Sequence, residues 1–190
     1  DFMVTIIYAH PWKGSFCQFL LDNITKGLTE KKKDYQVIDL HRDKFNPVLT
    51  EEELALYSTG NYIDPLVGKY QEMLKNSSQV IVIFPVWWMG MPAILKGFFD
   101  KVMLNGFAWY YNEQQKKLLP LLDIPKTTVV TTSEEATKFI IKEGDPVSDA
   151  IFHCMTAVGL KNSKWMNCDY VTQGGNEHRM AFINTVLNEV

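Results

Sequence analysis

The stretch from Val80 to Tyr111, VIVIFPVWWMGMPAILKGFFDKVMLNGFAWYY, limits what this chain can fold into more than any other. Val80 to Phe84 is an unbroken run of β-branched and aromatic residues. Such a run marks a strand buried on both faces, the habit of parallel sheets. From Pro92 to Met103, the residues Ile94, Leu95, Phe98, Phe99, Val102 and Met103 share one broad apolar face, which predicts a helix with Pro92 at its first position. Between strand and helix lies Pro85-Val86-Trp87-Trp88-Met89-Gly90-Met91. Ligands of open parallel sheets sit beyond the carboxyl ends of the strands, and this loop falls there. Its rings, thioethers and glycine suit a flat aromatic ligand, and they equally suit an apolar cover over the sheet edge.

The rest of the chain alternates in the same way. Strands are expected at Phe2–Ala9, Tyr35–Leu40, Lys126–Thr132 and, less apolar and so at an edge, Ser163–Val171. Helices are expected at Phe16–Lys33, with Phe16, Phe19, Leu20, Ile24 and Leu28 on one face, and at Pro65–Asn76, Ser148–Val158 and Glu177–Glu189. His41 to Asn61 reads as an irregular connection with a short acidic helix at Glu51–Tyr57, and Tyr110 to Ile124 as a polar loop with a short turn. Ser133 to Gly144 fits helix or loop. Alternation of this kind gives an α/β fold, a three-layer α/β/α sandwich, as a single domain over residues 1–190. No G-x-G-x-x-G follows the first strand, which points away from the dinucleotide-binding order. The expected order of the five-stranded parallel sheet is therefore 2-1-3-4-5, with the ligand at the switch between strands one and three. That places His10-Pro11-Trp12-Lys13-Gly14-Ser15 beside the Trp-rich loop.

Charge and cysteines narrow the classes. A net charge of −3 offers no broad basic surface for nucleic acid or an anionic membrane, though a local phosphate pocket stays open. No apolar run is long enough for a membrane span, and no secretory leader precedes the first strand. A start at Asp1 suggests a chain trimmed by a residue or so. Cys17, Cys154 and Cys168 show neither metal nor redox spacing, which fits three reduced thiols in a cytoplasmic protein. Cys17, near a helix start, is either a packed small residue or a thiol of lowered pKa. His41, His153 and His178 share no ligand spacing, so no metal site is expected. No G-x-S-x-G hydrolase elbow is present.

Three further stretches could carry chemistry. His10 to Cys17 is a polar turn opening a helix. Ser15 would cap it, and His10, Lys13 and the free N–H groups would hold a phosphate; a capped helix with no ligand is the plain alternative. Thr131-Thr132-Ser133-Glu134-Glu135 ends the fourth strand with hydroxyls that a ligand could use, or that merely cap a loop. Phe107-Ala108-Trp109-Tyr110-Tyr111 offers aromatics either to a pocket or to packing.

With these residues in view, FPVWWMGMPAILKGFFDKV followed by NGFAW resembles the flavodoxin-like NAD(P)H:quinone oxidoreductases, of the DT-diaphorase, modulator of drug activity and potassium-efflux ancillary types. The AHP…SF element and Lys44-Phe45-Asn46-Pro47-Val48 are similar to the same family. The resemblance implies a flavin, FAD before FMN, as cofactor. Its phosphates would lie on His10, Lys13, Ser15, Phe16 and Cys17, the last standing where many members have Asn. Its ring would lie on Pro85, Val86, Trp87, Trp88, Met89 and Gly90, with Trp87 where many have Gln. Thr131, Thr132 and Ser133 would flank the pyrimidine edge, and Thr132 and Ser133 would stabilise charge at flavin N1 and O2. Glu134 and Glu135 should then point outwards. Trp109 and Tyr111 would reach the substrate pocket of a partner subunit in a homodimer. The implied activity is ping-pong hydride transfer from NADPH or NADH through flavin N5 to a quinone-like acceptor, with no certain catalytic side chain. Some relatives instead attach to a potassium-efflux antiporter, so a flavin-binding regulatory subunit is the alternative.

Overall fold

The computed structural model describes residues 2–190, so the reading of Asp1 lies outside it. The chain runs β1 (Met3–Tyr8), α1 (Phe16–Glu30), β2 (Asp34–Asp39), α2 (Glu51–Leu56), α3 (Pro65–Lys75), β3 (Gln79–Pro85) and α4 (Ala93–Val102). It continues through β4 (Trp109–Asn112), β5 (Lys117–Pro120), β6 (Lys126–Thr132), α5 (Thr137–Lys142), α6 (Phe152–Ala157), β7 (Ser163–Cys168) and α7 (Gly175–Glu189). Five parallel strands form one sheet in the order β2-β1-β3-β6-β7. With the small β4–β5 pair set aside, that is the expected 2-1-3-4-5.

The central strand decides the layers. Side chains alternate along a strand, and β3 is buried at every position. Val80, Val82 and Phe84 face one core with Tyr70 and Leu74 of α3 and Leu95, Phe98 and Val102 of α4. Ile81 and Ile83 face the other with Leu20, Ile24 and Leu28 of α1 and Ile183 and Val186 of α7. Helices therefore cover both faces of the sheet, the flavodoxin-like arrangement.

Several elements differ from the sequence expectation. Helix α1 ends at Glu30, not Lys33, because Lys32 turns left-handed (φ 54°) and lets the chain reverse into β2. Phe19 is exposed, and Cys17 and Leu21 pack in its stead. The expected loop at Tyr110–Ile124 contains an antiparallel hairpin, with Tyr110 opposite Leu119 and Lys116 at φ 51° in the turn. Pro92 caps α4 from outside its first turn. A π-type turn over Pro146–Ile151 precedes α6, begun by Asp145 Oδ1, which accepts from Val147 N at 3.3 Å and Ser148 N at 2.8 Å.

The long connection after β2 is anchored by a buried charge. Lys101 of α4 is 3 % exposed. Its ammonium donates to Asn46 O at 3.0 Å, meets Glu53 Oε1 at 3.0 Å and Asp64 Oδ2 at 3.7 Å, and lies over the Phe45 ring. Gly97, one turn earlier, lets Pro47 approach: a Cβ there would stand 2.2 Å from Pro47 O. No described helix is long and apolar enough to cross a membrane. Among the described residues no His, Cys, Asp and Glu group could hold a metal ion.

Candidate functional site

Beyond the carboxyl ends of β1, β3 and β6 lies a cleft of about 700 Å³, within the range of small-molecule sites. The β1–α1 turn builds one wall. Ser15, in extended backbone, caps α1, its Oγ accepting from Gln18 N at 3.1 Å. The N–H groups of Phe16 and Cys17 stand in the first turn, where a helix offers no acceptor of its own. Together with the helix dipole they form a place for an anion. Lys13 adds an exposed ammonium with no ion pair among the described residues.

His10 lies at the corner of this wall. Its Nδ1 accepts from Trp12 N at 3.1 Å, and its ring stands edge-on to Trp87 with centroids 5.8 Å apart. Burial, then the nearby His41, hold its pKa below the usual imidazole value. It is therefore neutral at pH 7, and with Nδ1 accepting, the ring proton sits on Nε2. Cys17 is buried, with Sγ 3.5 Å from Thr132 Oγ1, and burial pushes its thiol up to about 12. That overturns the alternative of an activated thiol and leaves the packed one.

The opposite wall is Pro85, Val86 and Trp87. Val86 N donates to Thr132 O at 2.8 Å and ties this loop to the end of β6. Trp87 and Gly90 then exchange N–H···O bonds of 3.0 Å around Trp88 (φ 49°) and Met89 (φ 56°), the pattern of a type I′ turn. Two bulky residues in left-handed backbone are strained. The turn throws Trp88 wholly into solvent, at 102 % exposure. Trp88, Met89 and Gly90 consequently do not line the cleft, whereas Trp87 does. A Cβ on Gly90 would meet no protein atom closer than 3.9 Å, so no close approach within the chain itself requires this glycine.

The end of β6 supplies less than its hydroxyl run suggests. Thr131 points into the protein, donating to Asn167 Oδ1 at 2.7 Å and accepting from Trp165 Nε1 at 2.8 Å. Ser133 lines the cleft, but its hydroxyl donates to Glu135 O at 2.7 Å and accepts from Asn167 Nδ2 at 2.8 Å, and its N–H donates to Cys168 O at 3.0 Å. Thr132, whose hydroxyl meets only the Cys17 thiol, is the one of the three free to serve a ligand. Glu134 and Glu135 are both exposed, but only Glu135 stays clear of the cleft: Glu134 lines its mouth, bonded to the Thr172 hydroxyl, against the expectation that both point away.

The C-terminal third adds Val171, Thr172 and Arg179 to the lining, none of them expected. Arg179 of α7 donates from Nη1 to Val171 O at 2.6 Å and from Nη2 to Asn176 Oδ1 at 2.6 Å, which fixes its guanidinium at the edge of the site. The available signal was scarcity: the chain has only two arginines, Arg42 and Arg179. Trp109 and Tyr111 lie apart from the cleft on β4. Trp109 donates from Nε1 to Met103 O at 2.9 Å and packs on Tyr57, and Tyr111 is exposed.

Comparison with known proteins finds relatives that match the fold along nearly the whole chain. The sequence profile described as a flavodoxin-like fold matches residues 3–180. The uncharacterised NAD(P)H oxidoreductase YcaK of Escherichia coli strain K12 is 28 % identical over 98 % of this chain and 94 % of its own length. NAD(P)H dehydrogenase (quinone) 1 of Cavia porcellus is 30 % identical over 56 % of this chain, which spans 44 % of that protein. The structure of an NAD(P)H:quinone oxidoreductase from Methanothermobacter marburgensis superposes with a TM-score of 0.88 at 26 % identity, covering 99 % of this chain and 96 % of that one.

Proposed function

The chain belongs to the flavodoxin-like NAD(P)H:quinone oxidoreductase family, and we propose that it works as a flavin-dependent enzyme of that kind, with the flavin in the cleft. One observation carries the reading. A capped helix start with free Phe16 and Cys17 N–H groups faces an aromatic wall, Trp87, across one cleft at the switch point of the sheet. Phosphate and ring chemistry are thus met at opposite ends of the same space.

A bound flavin would supply the redox chemistry, accepting a hydride at N5 from NAD(P)H and passing electrons on to a quinone-like acceptor in ping-pong order. The chain's own part is placement and electrostatics. Ser15, Phe16 and Cys17 hold the phosphate from the helix start, Lys13 adds charge, and neutral His10 offers Nε2–H. Pro85, Val86 and Trp87 carry the ring. The Thr132 hydroxyl is the free donor for the pyrimidine edge, a role that Ser133 cannot share with both its donors engaged. The cleft runs on past the helix start to Val171, Thr172 and Arg179. That gives the longer FAD somewhere to lie, and supports FAD over FMN in this reading.

The same reading makes the working unit a cytoplasmic homodimer. Tyr110, Tyr111 and Leu118 are exposed together on the β4–β5 hairpin, and exposed apolar clusters mark contacts. A two-fold contact would carry Tyr111 and the rim of Trp109 towards the partner's cleft.

The ring's place is tested by a pair of variants. Trp87→Ala removes a wall of the cleft and should weaken flavin binding by about 1–3 kcal/mol. Trp88→Ala removes a side chain outside the lining and should change it far less. Equal losses in a fluorescence titration, or a larger loss for Trp88, would overturn this placement. The activity is tested by NAD(P)H oxidation with menadione. Turnover by the flavin-loaded protein is expected, and its absence would favour a regulatory subunit of an antiporter.

A further inference from the structure

One side chain on β7 holds the cleft wall at the end of β6. Asn167 stands opposite Thr131 in the sheet register, and its amide meets three hydroxyls. Oδ1 accepts from Thr131 Oγ1 at 2.7 Å, and Nδ2 donates to Ser133 Oγ at 2.8 Å and to Thr137 Oγ1 at 3.0 Å. The direction of each bond is settled by its neighbours. Asp169 Oδ2, a carboxylate oxygen that can only accept, takes the Thr137 hydroxyl proton at 3.0 Å. Thr137 Oγ1 must then accept from Asn167, which turns Nδ2 towards it and Oδ1 towards Thr131. The Ser133 hydroxyl, accepting from Nδ2, sends its own proton to Glu135 O at 2.7 Å. Thr131 Oγ1 accepts from the Trp165 indole at 2.8 Å and spends its proton on Asn167.

Thr131 and Ser133 are the two neighbours of Thr132. Side chains alternate along a strand, so these two turn to Asn167 while Thr132 turns the other way, into the cleft lining. The Thr132 carbonyl is held as well, by Val86 N at 2.8 Å. The one hydroxyl at this strand end with no acceptor in the chain other than the Cys17 thiol is therefore fixed in place from both sides. Asn167 itself does not line the cleft.

We propose that Asn167 is a positioning residue for the redox site. By gripping Thr131 and Ser133 it sets where the Thr132 hydroxyl meets the pyrimidine edge of the flavin, and so tunes the cofactor's reduction potential. The proposal rests on the flavin reading above. Reduction puts negative charge on N1 and O2 of the ring, and a donor already aimed there stabilises the reduced form more than the oxidised one.

The test is the midpoint potential of the bound flavin, from anaerobic titration against a reference dye, with the melting temperature read on the same samples. Asn167→Leu removes the amide without adding charge. Thr131→Val cuts one arm of the grip at a side chain that points away from the cleft. Thr137→Val cuts the arm that leads to Asp169 and away from Thr132. All three should lower the melting temperature, since each strands a hydrogen-bonding group inside the protein. In Asn167→Leu the reduced flavin should lose about tenfold more affinity than the oxidised, which lowers the two-electron potential by about 30 mV. Thr131→Val should shift the potential the same way by less, and it decides the matter if Asn167→Leu does not fold. Thr137→Val should keep the wild-type potential. A potential unmoved in the folded members of the first pair, or moved equally in Thr137→Val, would make Asn167 merely structural and overturn the proposal. Flavin loading is read separately from the visible band. A wild-type chain that takes up no flavin overturns the flavin reading and this one with it; a loaded chain with an unshifted potential overturns this one alone.

Discussion

Ser15→Asp is expected to leave the fold intact and to strip the protein of flavin. Aspartate ranks with serine as a helix N-cap, so α1 keeps its start, and an acidic group there also suits the helix dipole. The same carboxylate occupies the place where the cofactor's phosphate would meet the Phe16 and Cys17 N–H groups. Two like charges about 4 Å apart near a protein surface repel by roughly 4 kcal/mol at an effective dielectric of about 20. That is more than a hundredfold in affinity. Ser15→Ala is the contrasting variant. It loses the cap, at about 1 kcal/mol of stability, and one hydrogen bond to the phosphate, at about 1.5–3 kcal/mol of binding. Flavin content after gel filtration and the melting temperature are read on the same samples. Wild-type flavin content in the aspartate variant would remove the helix start from the cofactor site.

Lys101→Met should be the most damaging single change outside the cleft, at about 3–5 kcal/mol in urea unfolding. Methionine fills the space of the stem but leaves Glu53, 8 % exposed, without its cation. Burial pushes the Glu53 carboxyl up, but the Thr50 N–H bond and Lys101 outweigh it and bring the pKa below the usual value. A carboxyl held low in the folded state stabilises above its unfolded pKa, and that contribution is lost as pH falls through the folded one. In Lys101→Met the Glu53 pKa should rise, so this acid-side contribution shrinks. Adding Glu53→Gln to Lys101→Met should restore part of the loss, because it removes the unpaired charge. A double variant as unstable as the sum of the singles would show that the ion pair is not the cause.

The layers were legible because the apolar run Val80 to Phe84 reads as a doubly buried strand and the alternation of strands and helices around it leaves few topologies. The strand order was legible only through the missing G-x-G-x-x-G after the first strand, since alternation alone fits two orders. The β4–β5 hairpin was not legible. Its turn, Asn112 to Lys117, has no glycine, and Lys116 takes the left-handed position that turn rules assign to Gly or Asn. The same blindness affected the Trp-rich loop: Trp88 and Met89 occupy backbone that sequence rules reserve for Asn-Gly, so the tryptophan that leaves the cleft could not be told from the one that enters it. At the end of β6 the hydroxyls were visible, but their commitments were not. Ser133 and Thr131 are engaged by Asn167 and Trp165, more than thirty residues away, on the neighbouring strand. Arg179 reaches the cleft by a helix whose own apolar pattern says nothing of a ligand.

The cleft is expected to hold a flavin that nicotinamide cofactors reduce and quinones reoxidise. The direct measurement is the visible spectrum of the flavin-loaded protein in anaerobic solution, followed through addition of NADPH or NADH and then of menadione. The flavin band should bleach on the first addition and return on the second. A protein that takes up neither FAD nor FMN, or whose bound flavin keeps its band in excess NADPH and NADH, would contradict the account.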